Sequence, residues 1–354
     1  MIDASVDKLY GDCIRSYFDY HGVKCRFHRV DVSEPVKGMP MVERVVVGLD
    51  GFGVDRRGEP IIVIGGGVAM DIVGMAASVY RRGTPFIRVP TTLIGQVDAG
   101  VGVKTGVNFN GHKNRLGTYF PADLTLVDRS FLRTLDRRHT SNGMAEILKM
   151  AIIKDARLFE LLERYGEQLL ETSLCPQDPH ADAVAAEVLS RSIQGMLTEL
   201  QPNLWEARLE RAVDAGHTFS PAFEMHALPE LLHGEAVSLD LALTSIIALR
   251  RGLLEDQECE RIFGLLGQLE LPSWHRLVAP GLTWEALQET VRHRGGLQRV
   301  PLCQTESAKR ASSTTSVRGS CGRLSRNKGI AAMLCRYIDD TPRGTRSRWH
   351  HPTS

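Results

Sequence analysis

EPIIVIGGGVAMDIVGMAASVYRRG, residues 59–83, decides the fold. The run at 60–64 is too short for a helix and is stopped by Gly65-Gly66-Gly67, as a strand buried on both faces would be. Beyond the glycines, apolar residues recur at helical spacing to about Tyr80, with Asp71 in the first turn. Strand, glycine turn and helix in that order open a βαβ unit. FIRVP (86–90) and DLTLVD (123–128) read as further short strands, so this part predicts a parallel sheet with helices on its faces. From about Arg138 the pattern changes. SNGMAEILKMAIIKDARLFELLERYG (141–166) and the stretches near 183–200, 229–252 and 255–268 all keep a helical period. The expected organisation is an α/β domain over 1–137 and an all-helical domain over 138–302. The tail over 303–354, rich in Ser, Arg, Thr and Gly, has no amphipathic period and is expected to be disordered.

At 354 residues the chain can bury a full core in two domains, and 43% hydrophobic with 24% charged residues is ordinary for a globular protein. Nothing approaches the roughly eighteen consecutive apolar residues of a membrane span, and MIDASVDKLYGD lacks the features of a signal peptide. The seven cysteines are scattered and form no CxxC, which argues against a disulfide framework or a zinc ribbon and suits a reducing cytoplasm. The formal charge of +1 hides an asymmetry. From Cys303 onward ten Lys/Arg face three acids, a net +7, which leaves −6 on residues 1–302. An acidic body makes a poor nucleic-acid binder.

Three constellations could carry chemistry. The glycine turn leads into a helix whose free N–H groups could hold the phosphates of a dinucleotide, although Met70 stands where GxGxxG has its last glycine. A tight strand-to-helix turn explains it as well. VGVKTGVNFNGHKNRLG (101–117) holds Lys104 and Lys113 among asparagines and glycines. It reads either as a solvated hairpin or as a cradle where the lysines and Asn114 grip an anion. His217 and His233, sixteen residues apart, offer with Glu146 the two-His, one-carboxylate set of an open metal site. Spacing does not show that the three converge.

GGGVAMDIVG, VPTTLIGQVDAGVGVKTGVN, GHKNRLG, GMAEILKM, GHTFSP and LLHGEAV, in this order, resemble the sugar-phosphate cyclases of the dehydroquinate synthase superfamily. The resemblance runs from Met1 to about Leu302. It implies a Rossmann-like NAD domain, a helical metal domain, an active site between them, and a homodimer. By that resemblance Lys104, Lys113 and Asn114 contact substrate, while Arg82 reaches the neighbouring subunit's site to bind substrate phosphate. NAD+ would contact Asp3, Glu34, Lys37, Gly66, Gly67, Val68, Asp71, Thr91, Thr92 and Thr134, with Lys104 and Lys113. Glu146, His217 and His233 would hold zinc or cobalt, with Asp98 and Lys149 nearby. The implied reaction oxidises a ring hydroxyl with NAD+, eliminates phosphate, returns the hydride, and closes the carbocycle by an intramolecular aldol addition.

Dehydroquinate synthases read GHTFGH where this chain has GHTFSP, with Pro221 in place of the second histidine. Where they carry an Arg and an Asn for the substrate's carboxylate, this chain has Glu210 and Asp214. Acids there repel a carboxylate and suit a neutral hydroxymethyl group, as in sedoheptulose 7-phosphate. KTGVN and HGEAV differ from the KVAVN and HGHAV of desmethyl-4-deoxygadusol synthases. The expected subgroup is therefore the 2-epi-5-epi-valiolone synthases. Dehydroquinate synthase and a net-oxidising iron-type polyol dehydrogenase are the competing enzymes of the same architecture, and an impaired chain is the third alternative. The ends motivate that third alternative. Family members carry residues before the point matching Met1, and after Leu302 this chain departs from the family ending. CQTESAKRASSTTSV (303–317), back-translated with permissible codons and read from the third nucleotide, gives PDRIGEACFVNDV, which matches that ending. A frameshift near codon 303 is the expectation.

Overall fold

The computed structural model describes residues 1–209 and 211–293. Glu210 and the expected tail at 303–354 lie outside the described residues. The strands are β1 (Ile2–Asp3), β2 (Arg29–Val30), β3 (Ile61–Gly65), β4 (Phe86–Pro90), β5 (Lys104–Phe109), β6 (His112–Tyr119) and β7 (Leu124–Thr125). A parallel sheet runs β2-β1-β3-β4-β7, and β5 pairs antiparallel with β6 as a separate hairpin. The α/β part also carries α1 (Ala4–Tyr20), α2 (Met39–Phe52) and α3 (Gly67–Val79). The helical part comprises α4 (Arg137–Ile153), α5 (Ala156–Glu171), α6 (Pro179–Leu200), α7 (Ser220–Ala227), α8 (His233–Arg250), α9 (Asp256–Gln268) and α10 (Pro280–His293). The α/β fold followed by a helical domain is thus observed. No described helix is long and apolar enough to cross a membrane.

The strand at the glycine turn is buried at Ile61, Val63 and Ile64, and α3 buries Ala69, Met70, Ile72, Val73, Ala76 and Ala77. A helix apolar on so many sides must be sandwiched. The sheet covers one side and the β5–β6 hairpin another, where a Cβ on Gly74 would meet Thr105 Cγ2 at 2.6 Å. The hairpin turns at Asn110 (φ 49°) and Gly111 (φ 75°), the left-handed pair that a tight two-residue turn demands. A second core fills the helical part, centred on Met144, Ile147, Leu148, Leu158 and Leu162. The 141–166 stretch is two helices rather than one, because Asp155 caps α5 by accepting from Leu158 N at 3.0 Å.

In the sheet, β1 lies between β2 and β3, so successive connections from it run to opposite sides. A crevice at the carboxyl ends of strands beside such a reversal is where open α/β sheets bind ligands. Asp3 ends β1 and Gly65 ends β3 at this point.

Candidate active site

A cleft of about 880 Å³ opens over these strand ends and extends into the helical part. Asp3, Glu34, Lys37, Gly66, Gly67, Val68, Asp71, Thr91, Thr92 and Thr134 all line it, as do Asp98, Lys104, Lys113, Asn114, Lys149, Asp214, His217 and His233. At the sheet end, Gly66 caps α3 without any side-chain acceptor, which leaves the first helical N–H groups facing the cleft. A Cβ on Gly66 would lie 3.0 Å from Thr92 Cγ2, and one on Gly67 would lie 3.2 Å from Ala99 Cβ. Close approach to the neighbouring segment, as well as access for an anion, therefore asks for glycine here.

Lys37 is buried on the cleft wall. It donates to Asp71 Oδ2 at 2.5 Å and to Asn114 Oδ1 at 2.7 Å. Burial works against its charge, but Asp71 and Glu34 outweigh it and raise the lysine's pKa. Asn114 adopts φ 48°, beside the irregularity between Val107 and Phe109, which turns its amide toward Lys37. Asn108 donates to Glu34 Oε1 at 2.9 Å, and Tyr10 meets Thr134 Oγ1 at 2.9 Å. The lysine-rich stretch is thus a hairpin whose far strand presents Lys113 and Asn114 to the cleft.

Glu146, His217 and His233 converge, with one donor atom from each within 4.8 Å of the others. Glu146 Oε1 lies 3.4 Å from His233 Nε2 and 3.9 Å from His217 Nε2. Four donors about 2.1 Å from a tetrahedral zinc stand roughly 3.4 Å apart, so a divalent cation fits. Two further features agree. Glu146 is 1% exposed, yet neither of its carboxylate oxygens receives a well-directed hydrogen bond. His217 Nδ1 faces Ala215 O at 3.2 Å and His233 Nδ1 faces Glu224 Oε2 at 2.9 Å, which leaves both Nε2 atoms toward Glu146. Convergence rests on a close helix crossing: Gly234 N donates to Asn142 Oδ1 at 2.6 Å, and a Cβ on Gly234 would fall 1.9 Å from Asn142 O.

Lys149, one turn along α4, ion-pairs with Glu146. Burial disfavours the Glu146 charge, but Lys149 and the two histidines hold its carboxyl well below the usual range. Burial and then Lys149 push His217 down to about 3. Burial and Lys113 oppose protonation of His233, but Glu224 and Glu146 carry it up to about 9. Asp98 is raised, first by burial and then by the nearby Glu146 charge.

Sequence reasoning missed Glu224, which accepts from Lys113 Nζ with both oxygens at 2.5 Å. Its signal was an acid in the otherwise mostly apolar PAFEMHA of α7. It also missed Glu206 and Arg211. Lys104 and Arg211 both ion-pair with Glu206, and Arg211 also holds Asp214. Asp214, expected to face the substrate, lines the cleft with its carboxylate held by Arg211. Glu210, expected beside it, lies outside the described residues. Arg82 is exposed at φ 66° and does not line the cleft of its own chain.

The chain belongs to the 3-dehydroquinate synthase family. Residues 28–142 match the family's N-terminal domain and 143–293 its C-terminal domain, with the break inside α4. Within the family the likeness is to enzymes named 2-epi-5-epi-valiolone synthase. The one from Streptomyces albus is 63% identical over 302 residues, covering 85% of this chain and 74% of the relative. The solved structure of ValA, the 2-epi-5-epi-valiolone synthase of Streptomyces hygroscopicus subsp. jinggangensis 5008 with NAD+ and Zn2+ bound, matches with a TM-score of 0.83. Its identity is 53%, and the match covers 86% of this chain and 82% of that one. Identity drops to 39% over 304 residues with the demethyl-4-deoxygadusol synthase of Trichormus variabilis, covering 85% of this chain and 74% of the relative.

Proposed function

We propose that the chain cyclises sedoheptulose 7-phosphate to 2-epi-5-epi-valiolone with release of phosphate, as a phosphate-eliminating lyase. The 63% identity to the Streptomyces albus enzyme carries this reading. The charges in the cleft support it. Glu206 pairs with Lys104 and Arg211, and Arg211 also holds Asp214, so among the described residues two acids temper the positive charge of that wall and make it less suited to a substrate carboxylate. A neutral hydroxymethyl group loses nothing there.

The first turn of α3, with Asp3, Glu34, Lys37, Asp71, Thr91, Thr92 and Thr134, would hold NAD+. Glu146, His217 and His233 would hold zinc. When bound, these groups supply reversible hydride uptake and Lewis-acid polarisation. The residues of the chain do the rest. Lys104, Lys113 and Asn114 bind the anionic substrate and orient its leaving phosphate. Lys149 steadies negative charge that develops on substrate oxygen. Asp98, pushed toward its protonated form by burial and by Glu146, can hold and pass a proton within the cleft. Arg82, exposed on its own subunit, completes the partner's phosphate site in a homodimer, and the enzyme works in the cytoplasm.

The test is substrate choice. With NAD+ and zinc present, the protein releases phosphate from sedoheptulose 7-phosphate and leaves the carboxylate-bearing substrate of dehydroquinate synthase untouched. Turnover of the acid at a comparable rate would overturn the assignment.

A further inference from the structure

We propose that Glu224 is a positioning residue that ties Lys113 to His233, so that anion binding at the lysine and zinc binding at the histidine strengthen each other. The inference rests on the zinc-site reading above. Glu224 is 2% exposed, and its two oxygens serve both partners: Lys113 Nζ at 2.5 Å from each, and His233 Nδ1 at 2.9 Å from Oε2. Lys113 Nζ also lies 3.0 Å from the same Nδ1. An ammonium only donates and a carboxylate only accepts. If the lysine won that nitrogen, the ring's proton would move to Nε2 and block the side facing Glu146. With Glu224 in place, Nδ1 keeps the proton, and Nε2, 3.4 Å from Glu146 Oε1, keeps a lone pair for a cation held between them. A carboxylate behind a ligand histidine fixes the ring and raises its basicity.

The sharing has a consequence. An anion in the cleft that draws Lys113 toward itself leaves the charge of Glu224 to His233 alone. Zinc then binds more tightly, and by linkage zinc tightens the anion by the same factor. The lysine is thus the link between substrate and metal, and Glu224 is the joint.

Full-length protein stripped of metal and titrated with zinc against a chromogenic chelator, with and without inorganic phosphate, tests this. Wild type binds zinc more tightly in phosphate. Glu224→Gln, folded as judged by an unchanged melting profile, binds zinc about 10- to 100-fold more weakly and loses the phosphate effect. Lys113→Met keeps or improves zinc affinity and also loses the phosphate effect, which separates positioning of the ring from general loss of charge. Unchanged zinc affinity in Glu224→Gln overturns the inference, as does a Lys113→Met protein as weak as Glu224→Gln. If Glu224→Gln does not fold, absence of a phosphate effect in wild type overturns it. Wild type that binds no zinc overturns the metal reading and this inference with it.

Discussion

Replacing His217 or His233 by alanine removes bound zinc and cyclase activity in the same variant. Each would supply one of three protein donors, and the two imidazoles reach Glu146 from different elements: the loop before α7 and the first residue of α8. Two donors do not hold zinc against water and buffer. The lost polarisation is worth several kcal/mol at the transition state, which is about 1,000-fold or more in rate. His217 is the cleaner substitution, because its Nδ1 faces a backbone carbonyl, Ala215 O, at 3.2 Å, rather than a buried carboxylate. Removing His233 also strips a partner from Glu224, so that variant loses some stability as well. Metal content by elemental analysis, measured beside phosphate release, checks both. A variant that keeps stoichiometric zinc contradicts the ligand set.

Glu146→Gln has the second large effect, and it acts on stability as well as on the reaction. Glu146 and Lys149 are each 1% exposed and pair with each other one turn apart on α4. Neutralising Glu146 leaves the buried Lys149 ammonium without its ion-pair partner, with the charges of Asp98 and Asp214 still favouring it, at a cost of up to about 3–5 kcal/mol. The double variant Glu146→Gln/Lys149→Met removes both charges and should recover most of that loss while remaining inactive and metal-free. Denaturant unfolding of the three proteins decides the point. Equal stability of wild type and the single variant would show that the pair is solvated in solution and that its burial is not maintained.

Legibility in the sequence followed the physics of each element. The strand and helix of residues 59–83 stood out because both are buried on several sides, so apolar residues run almost unbroken. The first helix did not, since it buries only Ala4, Val6 and Gly11 and exposes Tyr17 and Tyr20. β1 and β2, two residues each, are too short to show any period. The metal-ligand types were visible, but their convergence was not, because it depends on Gly234 letting α8 sit against Asn142 of α4. Glu224, Glu206 and Arg211 escaped notice because single charged residues on short helices and loops look like solvated surface until their partners are seen. Asp214 is visible in the sequence as an acid, whereas its pairing with Arg211, three residues before it, is not.

If the cleft runs a redox-neutral phosphate elimination, hydride is borrowed and returned within one turnover. The direct measurement supplies sedoheptulose 7-phosphate to zinc-loaded protein with excess NAD+ and follows free phosphate and nicotinamide absorbance together. The expected result is continuous release of phosphate over many turnovers, a cyclic product of the mass of 2-epi-5-epi-valiolone, and no accumulation of NADH. Steady growth of NADH in step with substrate consumption, without phosphate release, would contradict it and would make the protein a polyol dehydrogenase instead.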